Sequence, residues 1–299
     1  MHYHLICYSG GHSSAKVAMN VASKFPDRTT DKIILLNHNI NPNVEDPDIQ
    51  RFKEEVAAEL GLPITYANYK GILNEDEIPD QFEVALDIGG FKFGNGTELC
   101  TNRLKTQPFY DYLKDNFPSS LEDPRDDLTI YYGFDKDEVK RIQRRAGVMG
   151  AMGYKTDYPL ALWEDADHTI VQDADIAPPL TYQNLQGLSV KSLTTTGKGA
   201  WKHANCVGCL KAGKQHWYVV YCVRPDIWDK AKETEDELGY SIIRDNYLAD
   251  LEEDFEQLKQ LGLEPTELTD GRTFWAQARK LLKKSIDTPE DMKPCECTI

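Results

Sequence analysis

The residues best suited to chemistry come early in the chain, in Ser9-Gly10-Gly11-His12-Ser13-Ser14. They stand between a short apolar strand, Tyr3 to Tyr8, and a helix expected to start near Ser13. Glycine lacks a Cβ, so Gly10 and Gly11 let the backbone bend sharply and approach a ligand closely. The first N–H groups of a helix have no intrahelical partner and carry the positive end of its dipole, which suits phosphate. Val17, Ala18, Val21, Ala22 and Phe25 repeat with helical spacing and Pro26 ends the run, so the helix is well supported. An ordinary capped turn is the competing reading of the same string.

Thiols form a second set. Cys206-Val207-Gly208-Cys209 puts two sulfurs on one tight turn, the half-site common to zinc and iron–sulfur centres, and His203 lies three residues upstream. Three completions stay open. Cys295 and Cys297 would make a four-thiolate zinc site, or Cys100 with one further group would complete a cluster beside the phosphate pocket. In the third, Cys297 is free as a mobile nucleophile. Cys7 and Cys222 fall in apolar runs read as strands and are expected to be packed thiols.

Cations form the third set. Glu138, Arg141 and Arg145, with Arg144 beside them, follow a strand ending in Gly133-Phe134 and share one helical face. Arginine forks suit phosphate or sulfate oxygens, and the alternative is a solvated helix of Glu–Arg pairs. Arg103 and Lys105 follow Cys100. His12, His38, His168 and His216 show no metal spacing and are expected to be surface or satisfied core residues. Among these, His12 and His38 gain interest from lying at strand ends, while Lys211, Lys214 and His216 follow the cysteine turn.

The elements that must position these groups alternate. Strands are expected at Lys32 to Leu36, Ile64 to Tyr69 and Leu128 to Phe134, with a further element beginning at Tyr158 to Trp163. A helix is expected from Pro47 to Leu60. This order predicts an α/β fold, a parallel twisted sheet with helices on both faces, whose ligands lie beyond the carboxyl ends of the strands. The loop at Ser9 to Gly11, Asn37-His38-Asn39 and Gly133-Phe134 should then share one rim. Residues 1–163 read as this nucleotide-type domain and residues 164–225 as a connection carrying the cysteine turn and a strand from Trp217 to Val223. Residues 226–299 read as a helical region, with Leu248, Leu251, Phe255 and Leu258 on one face, a second helix near Phe274 to Lys284, and the Cys-x-Cys tail.

Composition narrows the classes. The chain has 299 residues, 40% of them hydrophobic, enough for a sizeable core over roughly two domains of ~100–200 residues. No run approaches the ~20 apolar residues of a membrane helix, and no signal peptide is evident, so a cytoplasmic protein without a membrane partner is expected. Its seven cysteines then read as thiols or metal ligands rather than disulfides. A net charge of −15 argues against a broad grip on nucleic acid, although a local RNA or DNA contact stays open through Lys140-Arg141, Arg144-Arg145 and the cations from Lys191 to Lys214.

Taken together, these strings resemble the phosphoadenosine phosphosulfate reductase family of the adenine nucleotide alpha hydrolase superfamily, closest in character to its phage and mobile-element members. Ser9 to Ser14 resembles the pyrophosphate loop S-G-G-x-D-S, and Cys100-Thr101-Asn102-Arg103-Leu104-Lys105 with Pro108 resembles the C-C/T-x-x-x-K-x-x-P segment. Gly133-Phe134 through Arg145 and Cys206-x-x-Cys209 match later segments, so the likeness spans roughly residues 3 to 225. It implies an adenine nucleotide, ATP or an activated sulfate, held by Ser9, Gly10, Gly11, His12, Ser13 and Ser14, with Asn37 and His38 near the adenosine and Lys105 and Gly133 at the pocket. It implies Arg141 and Arg145 as clamps on the anionic end and Cys100, Cys206 and Cys209 as ligands of an iron–sulfur cluster or zinc. The chemistry implied is sulfur transfer or reduction, or ATP cleavage between its α- and β-phosphates with adenylylation, with a thiol- or electron-donor protein as partner. A nucleotide-binding protein without turnover, carrying structural zinc, is the alternative.

Two departures bear on this. Ser13 stands where the loop's aspartate is expected, removing a carboxylate that could organise magnesium, and Thr101 stands where some relatives carry a second cysteine. Glu296-Cys297 echoes a tail cysteine of that family but lacks its Gly and His.

Overall fold

In the computed structural model the described residues are 1–92, 99–179, 201 and 206–282. Five strands form one parallel sheet in the order β3-β2-β1-β4-β5. They are β1 (His2–Cys7), β2 (Asp31–Asn37), β3 (Ile64–Tyr66), β4 (Arg125–Tyr131) and β5 (Tyr154–Asp157). Parallel strands need crossovers, and helices supply them: α1 (His12–Lys24), α2 (Pro47–Glu59), α3 (Gln81–Ile88), α4 (Gln107–Asn116) and α5 (Val139–Gly150).

Both sheet faces are covered, so the strands read as continuous apolar runs whose side chains alternate between two cores. Ile6, Ile33, Leu35 and Tyr131 point into the core beneath α1 and α2 with Val17, Val21, Phe52 and Val56. Leu5, Ile34, Leu36 and Ile130 point the other way, against Phe109 and Leu113 of α4 and Met149 of α5. The expected strand boundaries shift by a few residues. The element expected at Tyr158 to Trp163 instead contains a short helix, Pro159–Leu162, and the fifth strand lies just before it.

A second core lies outside the sheet. It is built by α6 (Lys214–Val223), α7 (Pro225–Leu238), α8 (Leu248–Gln260) and α9 (Gly271–Leu282). The strand expected from Trp217 to Val223 is therefore wrong: this run lies in α6, buried on all sides from Gln215 to Val220, so an apolar helix leaves no face to solvent. Leu248, Leu251, Phe255 and Leu258 do form the buried face of α8. Phe82 and Ala85 of α3, with Ile40 and Val44 from the connection after β2, join this second core. This second core thus draws on residues from all three expected segments, Ile40 to Phe91, Trp201 to Val220 and Ile227 to Leu282. Buried Glu235 ties α7 to α8 by accepting from the backbone N–H groups of Ile242 and Leu248, each at 2.6 Å.

Candidate nucleotide site

All five strands run in parallel, so the loops after β1, β2 and β4 emerge along one rim. Strand order reverses between β1 and β4, and this switch point opens the crevice where α/β sheets hold ligands. The bend at Ser9 to His12 and the β4 exit at Gly133 flank it.

Gly10 sits at φ +78°, a conformation that disfavours side chains. A Cβ there would lie 3.0 Å from Ile49 Cγ2 and 3.5 Å from Cβ and Cδ of Lys53, so α2 buttresses the bend from below. Gly133 is packed as tightly: a Cβ on it would lie 3.1 Å from the Ser13 carbonyl carbon and 3.2 Å from Ser14 N. β4 therefore delivers a bare backbone against the first turn of α1. Gly11 is the N-cap of that helix in an extended conformation, with no side-chain capping bond. Ser14 is buried and donates its hydroxyl to the Gly11 carbonyl at 2.8 Å, while Ser9 and Ser13 are exposed. The first turn of α1 thus has no side-chain cap, two exposed hydroxyls and glycine on two sides, a cradle that fits a phosphate or sulfate.

The rim beyond β2 is polar and buried. Asn37 donates its side-chain N–H to the Tyr8 carbonyl, and Asn39 N donates to Asn68 Oδ1 at 2.8 Å. Among the described residues, the buried side-chain oxygens of Asn37 and Asn39 have no hydrogen-bond partner. His38 donates Nδ1–H to the Ala67 carbonyl, and burial lowers its pKa from the ordinary value to about 4, so it is neutral at pH 7. The positive charge of Lys105, in the cysteine–lysine segment, adds to that depression. The segment carries a π-helical turn, Asn102–Thr106, immediately before α4. Such turns commonly mark functional sites because they re-aim a side chain within a helix.

Two residues that sequence reasoning missed join this group. Lys53, on α2, is fully buried, and its Nζ lies 3.6 Å from Oε2 of Glu45. Burial pushes the Glu45 carboxyl up, opposed by the positive charges of Lys53 and Lys105. The available signal was positional: Lys53 falls four residues after Ile49 and three before Val56, on the buried face of α2.

The arginines are held by aromatic rings. Arg141 stacks over Phe134 with its guanidinium carbon 4.5 Å from the ring centroid, and also pairs with Glu138. Arg145 lies over Tyr132 at 5.3 Å. Tyr132, Phe134 and Tyr158 stack on one another with centroids 5.7 to 5.9 Å apart. The Glu–Arg pair expected of a solvated helix is present, yet stacking also fixes both half-buried guanidinium planes at the exit of β4. Arg144 faces solvent.

The cysteine turn lies in the second core. Gly208 has φ +74°, and a Cβ there would lie 2.7 Å from Ile227 Cγ2 and 3.0 Å from Phe82 Cζ. Backbone bonds dock the turn on the rim's connection: Val207 N donates to the Val44 carbonyl at 2.8 Å, and Gln81 donates to the Val207 carbonyl at 2.8 Å. His216 Nε2 accepts from the N–H groups of Gly208 and Cys209 at 3.1 and 3.2 Å, while Nδ1 meets Glu267 Oε1 at 2.7 Å. That pattern requires the tautomer protonated on Nδ1. His216 is thus a satisfied core residue, as expected, and His168 is exposed.

Cys209 is buried, and half-buried Cys206 and Cys100 pack against one core. Among the described residues, no three or more His, Cys, Asp or Glu side chains gather into a metal site. Two thiols on one turn fit half a zinc or cluster site; His203, Cys295 and Cys297 lie outside the described residues. Cys7 and Cys222 are structural thiols, with pKa values pushed up by burial to about 12 and about 11. Cys222 occupies α6 rather than a strand.

The fold and rim define a parallel α/β protein with a glycine bend at its switch point. No family model, curated protein or solved structure matches the chain. Among the described residues no helix is long and apolar enough to cross a membrane.

Proposed function

We propose that the chain binds an adenine nucleotide in the bend between β1 and α1 and is an enzyme of sulfur or adenylate chemistry. The observation that carries this reading is the meeting of Gly10, Gly133 and the uncapped start of α1 where the strand order reverses. Amides of that first turn, with the hydroxyls of Ser9 and Ser13, hold the phosphate groups. His12 flanks them, and Asn37 and His38 border the adenosine. Arg141 and Arg145, oriented by Phe134 and Tyr132, stabilise charge on the departing oxyanion. With an activated sulfate, a thiolate of Cys297 or of a thiol-donor protein attacks sulfur, forming an S–S bond as the S–O bond to the nucleotide breaks and the nucleotide leaves; a second thiolate, from the thiol- or electron-donor protein, then displaces sulfite as a disulfide forms. With ATP, a nucleophile of the substrate attacks the α-phosphorus and pyrophosphate leaves.

ATP and an activated sulfate present the same anionic groups to this loop. The motif resemblance favours adenine as the base. Cys206 and Cys209 are the described residues that would supply two ligands of a zinc or iron–sulfur centre, which would contribute structure or electrons when bound. Ser13 supplies no carboxylate for magnesium, and this favours a second reading: nucleotide binding without turnover, with zinc as a structural element.

Anaerobically purified protein incubated with ATP, adenylyl sulfate and its 3′-phosphorylated form, with excess dithiothreitol as the two-electron thiol reductant, tests the choice. Pyrophosphate release, or sulfite with AMP or its 3′-phosphorylated form, accompanied by iron and acid-labile sulfide, is the enzyme's signature. Tight binding of unchanged nucleotide with stoichiometric zinc alone establishes the second reading.

A further inference from the structure

Lys53 carries a burden that the fold alone does not require. Its side chain is fully buried, and among the described residues its Nζ makes no hydrogen bond. An ammonium group offers three donors, and burying them unmet is costly unless something else supplies acceptors. Glu45 Oε2, at 3.6 Å, is an ion-pair partner at the outer edge of hydrogen-bond reach. The Tyr66 ring, its centroid 5.6 Å from Nζ, adds a cation–π contact but no hydrogen-bond acceptor. Glu45 also feels the positive charge of Lys105 and the negative charge of Glu75.

The location connects Lys53 to the loop. Its Cβ and Cδ are the atoms a Gly10 side chain would meet, at 3.5 Å each. Its carbonyl accepts the Tyr8 hydroxyl at 2.8 Å, which ties the same residue to the segment leading into the bend. The ammonium is two bonds beyond the Cδ that packs where a Gly10 side chain would lie.

We propose that the Lys53 ammonium is an anion-binding group of the Ser9–Ser14 site, taking an oxygen of the ligand's phosphate or sulfate in place of its loose pairing with Glu45. The inference rests on the nucleotide reading above and adds a buried donor from α2 to a site otherwise built of backbone amides, hydroxyls and arginines. Glu45 acts as a positioning residue that holds the ammonium until the anion arrives.

Titration calorimetry on the full chain with ATP, adenylyl sulfate, inorganic pyrophosphate and adenosine tests it, alongside thermal melting. Lys53→Met keeps the stem against Gly10 and removes the charge. It should weaken ATP, adenylyl sulfate and pyrophosphate at least tenfold and leave adenosine unchanged, with a melting temperature at or above that of the wild type. Glu45→Gln, which frees the ammonium, should bind pyrophosphate as tightly as the wild type or more so. If Lys53→Met binds every probe like the wild type, or loses adenosine and pyrophosphate equally, Lys53 is a structural residue only and the proposal is wrong. If the wild type binds none of the probes, the nucleotide reading itself fails and takes this one with it.

Discussion

The bend at Ser9 to Ser14 and the turn at Cys206 to Cys209 both hinge on a glycine at positive φ, Gly10 at +78° and Gly208 at +74°. Their amides meet different fates. In the cysteine turn, the N–H groups of Gly208 and Cys209 both converge on one imidazole nitrogen of His216, and Gln81 and Val44 complete the docking. In the bend, the helix begins at a glycine that has no side chain to cap it. One turn is closed by the protein around it; the other, on the proposed function, is closed by a ligand. On that reading, equal glycine chemistry serves structure in one place and recognition in the other, and the neighbours decide which.

The sharpest way to break this contrast is at Gly208. Replacing it with valine combines a strained φ with a clash against Ile227 and Phe82, and should cost roughly 4 kcal/mol of stability in urea unfolding. At temperatures where that variant stays folded, ATP affinity should match the wild type. A large loss of affinity without a loss of stability would show that the cysteine turn is not a closed structural unit.

Acid sharpens the other side. His38 is buried and neutral, with its pKa depressed from the ordinary 6.5 to about 4. Between these values the unfolded chain binds the proton and the folded chain does not, so stability falls as pH drops from about 6.5 to 4. Below that the loss from this group is complete. The full contribution is about 3 kcal/mol. His38→Asn should flatten the stability–pH curve in that window, and an unchanged slope would mean the rim histidine is solvated.

His216→Ala leaves two buried amides without an acceptor and should cost about 2 kcal/mol, with His216→Gln recovering part of it. Nucleotide affinity should not change in either variant. A smaller effect on stability is expected at Gly133→Ala, about 1 kcal/mol, since the neighbours need shift by only a few tenths of an ångström. That shift moves the first turn of α1, so ATP affinity should drop about tenfold, the reverse of the pattern at Gly208.

The sheet was legible because alternating apolar runs separated by amphipathic helices leave few topologies. β2, α1, α2 and the buried face of α8 fall close to where hydrophobic spacing put them. Spacing failed at Trp217 to Val223, a β-branched and aromatic run whose length suits a strand as well as a buried helix. Only the surrounding tryptophans and α7 to α9, remote in sequence, decide for helix. The glycine loop and Lys105 were legible as motifs. Lys53 and Glu45 were not, because lysine and glutamate are ordinarily read as solvent-facing, and only the packing of α2 beneath Gly10 buries them. For Arg141 and Arg145 the residue types were informative, but the aromatic stack that orients them comes from β4 and the Tyr158 loop.

Gly11→Asp tests the central claim most directly. Aspartate is a favoured N-cap, so it should leave the melting temperature unchanged or slightly raised while setting a carboxylate where the anion belongs. Calorimetry with ATP should then give one-to-one binding for the wild type and no detectable heat for the variant. Equal binding by both proteins, or none by the wild type, would contradict the account.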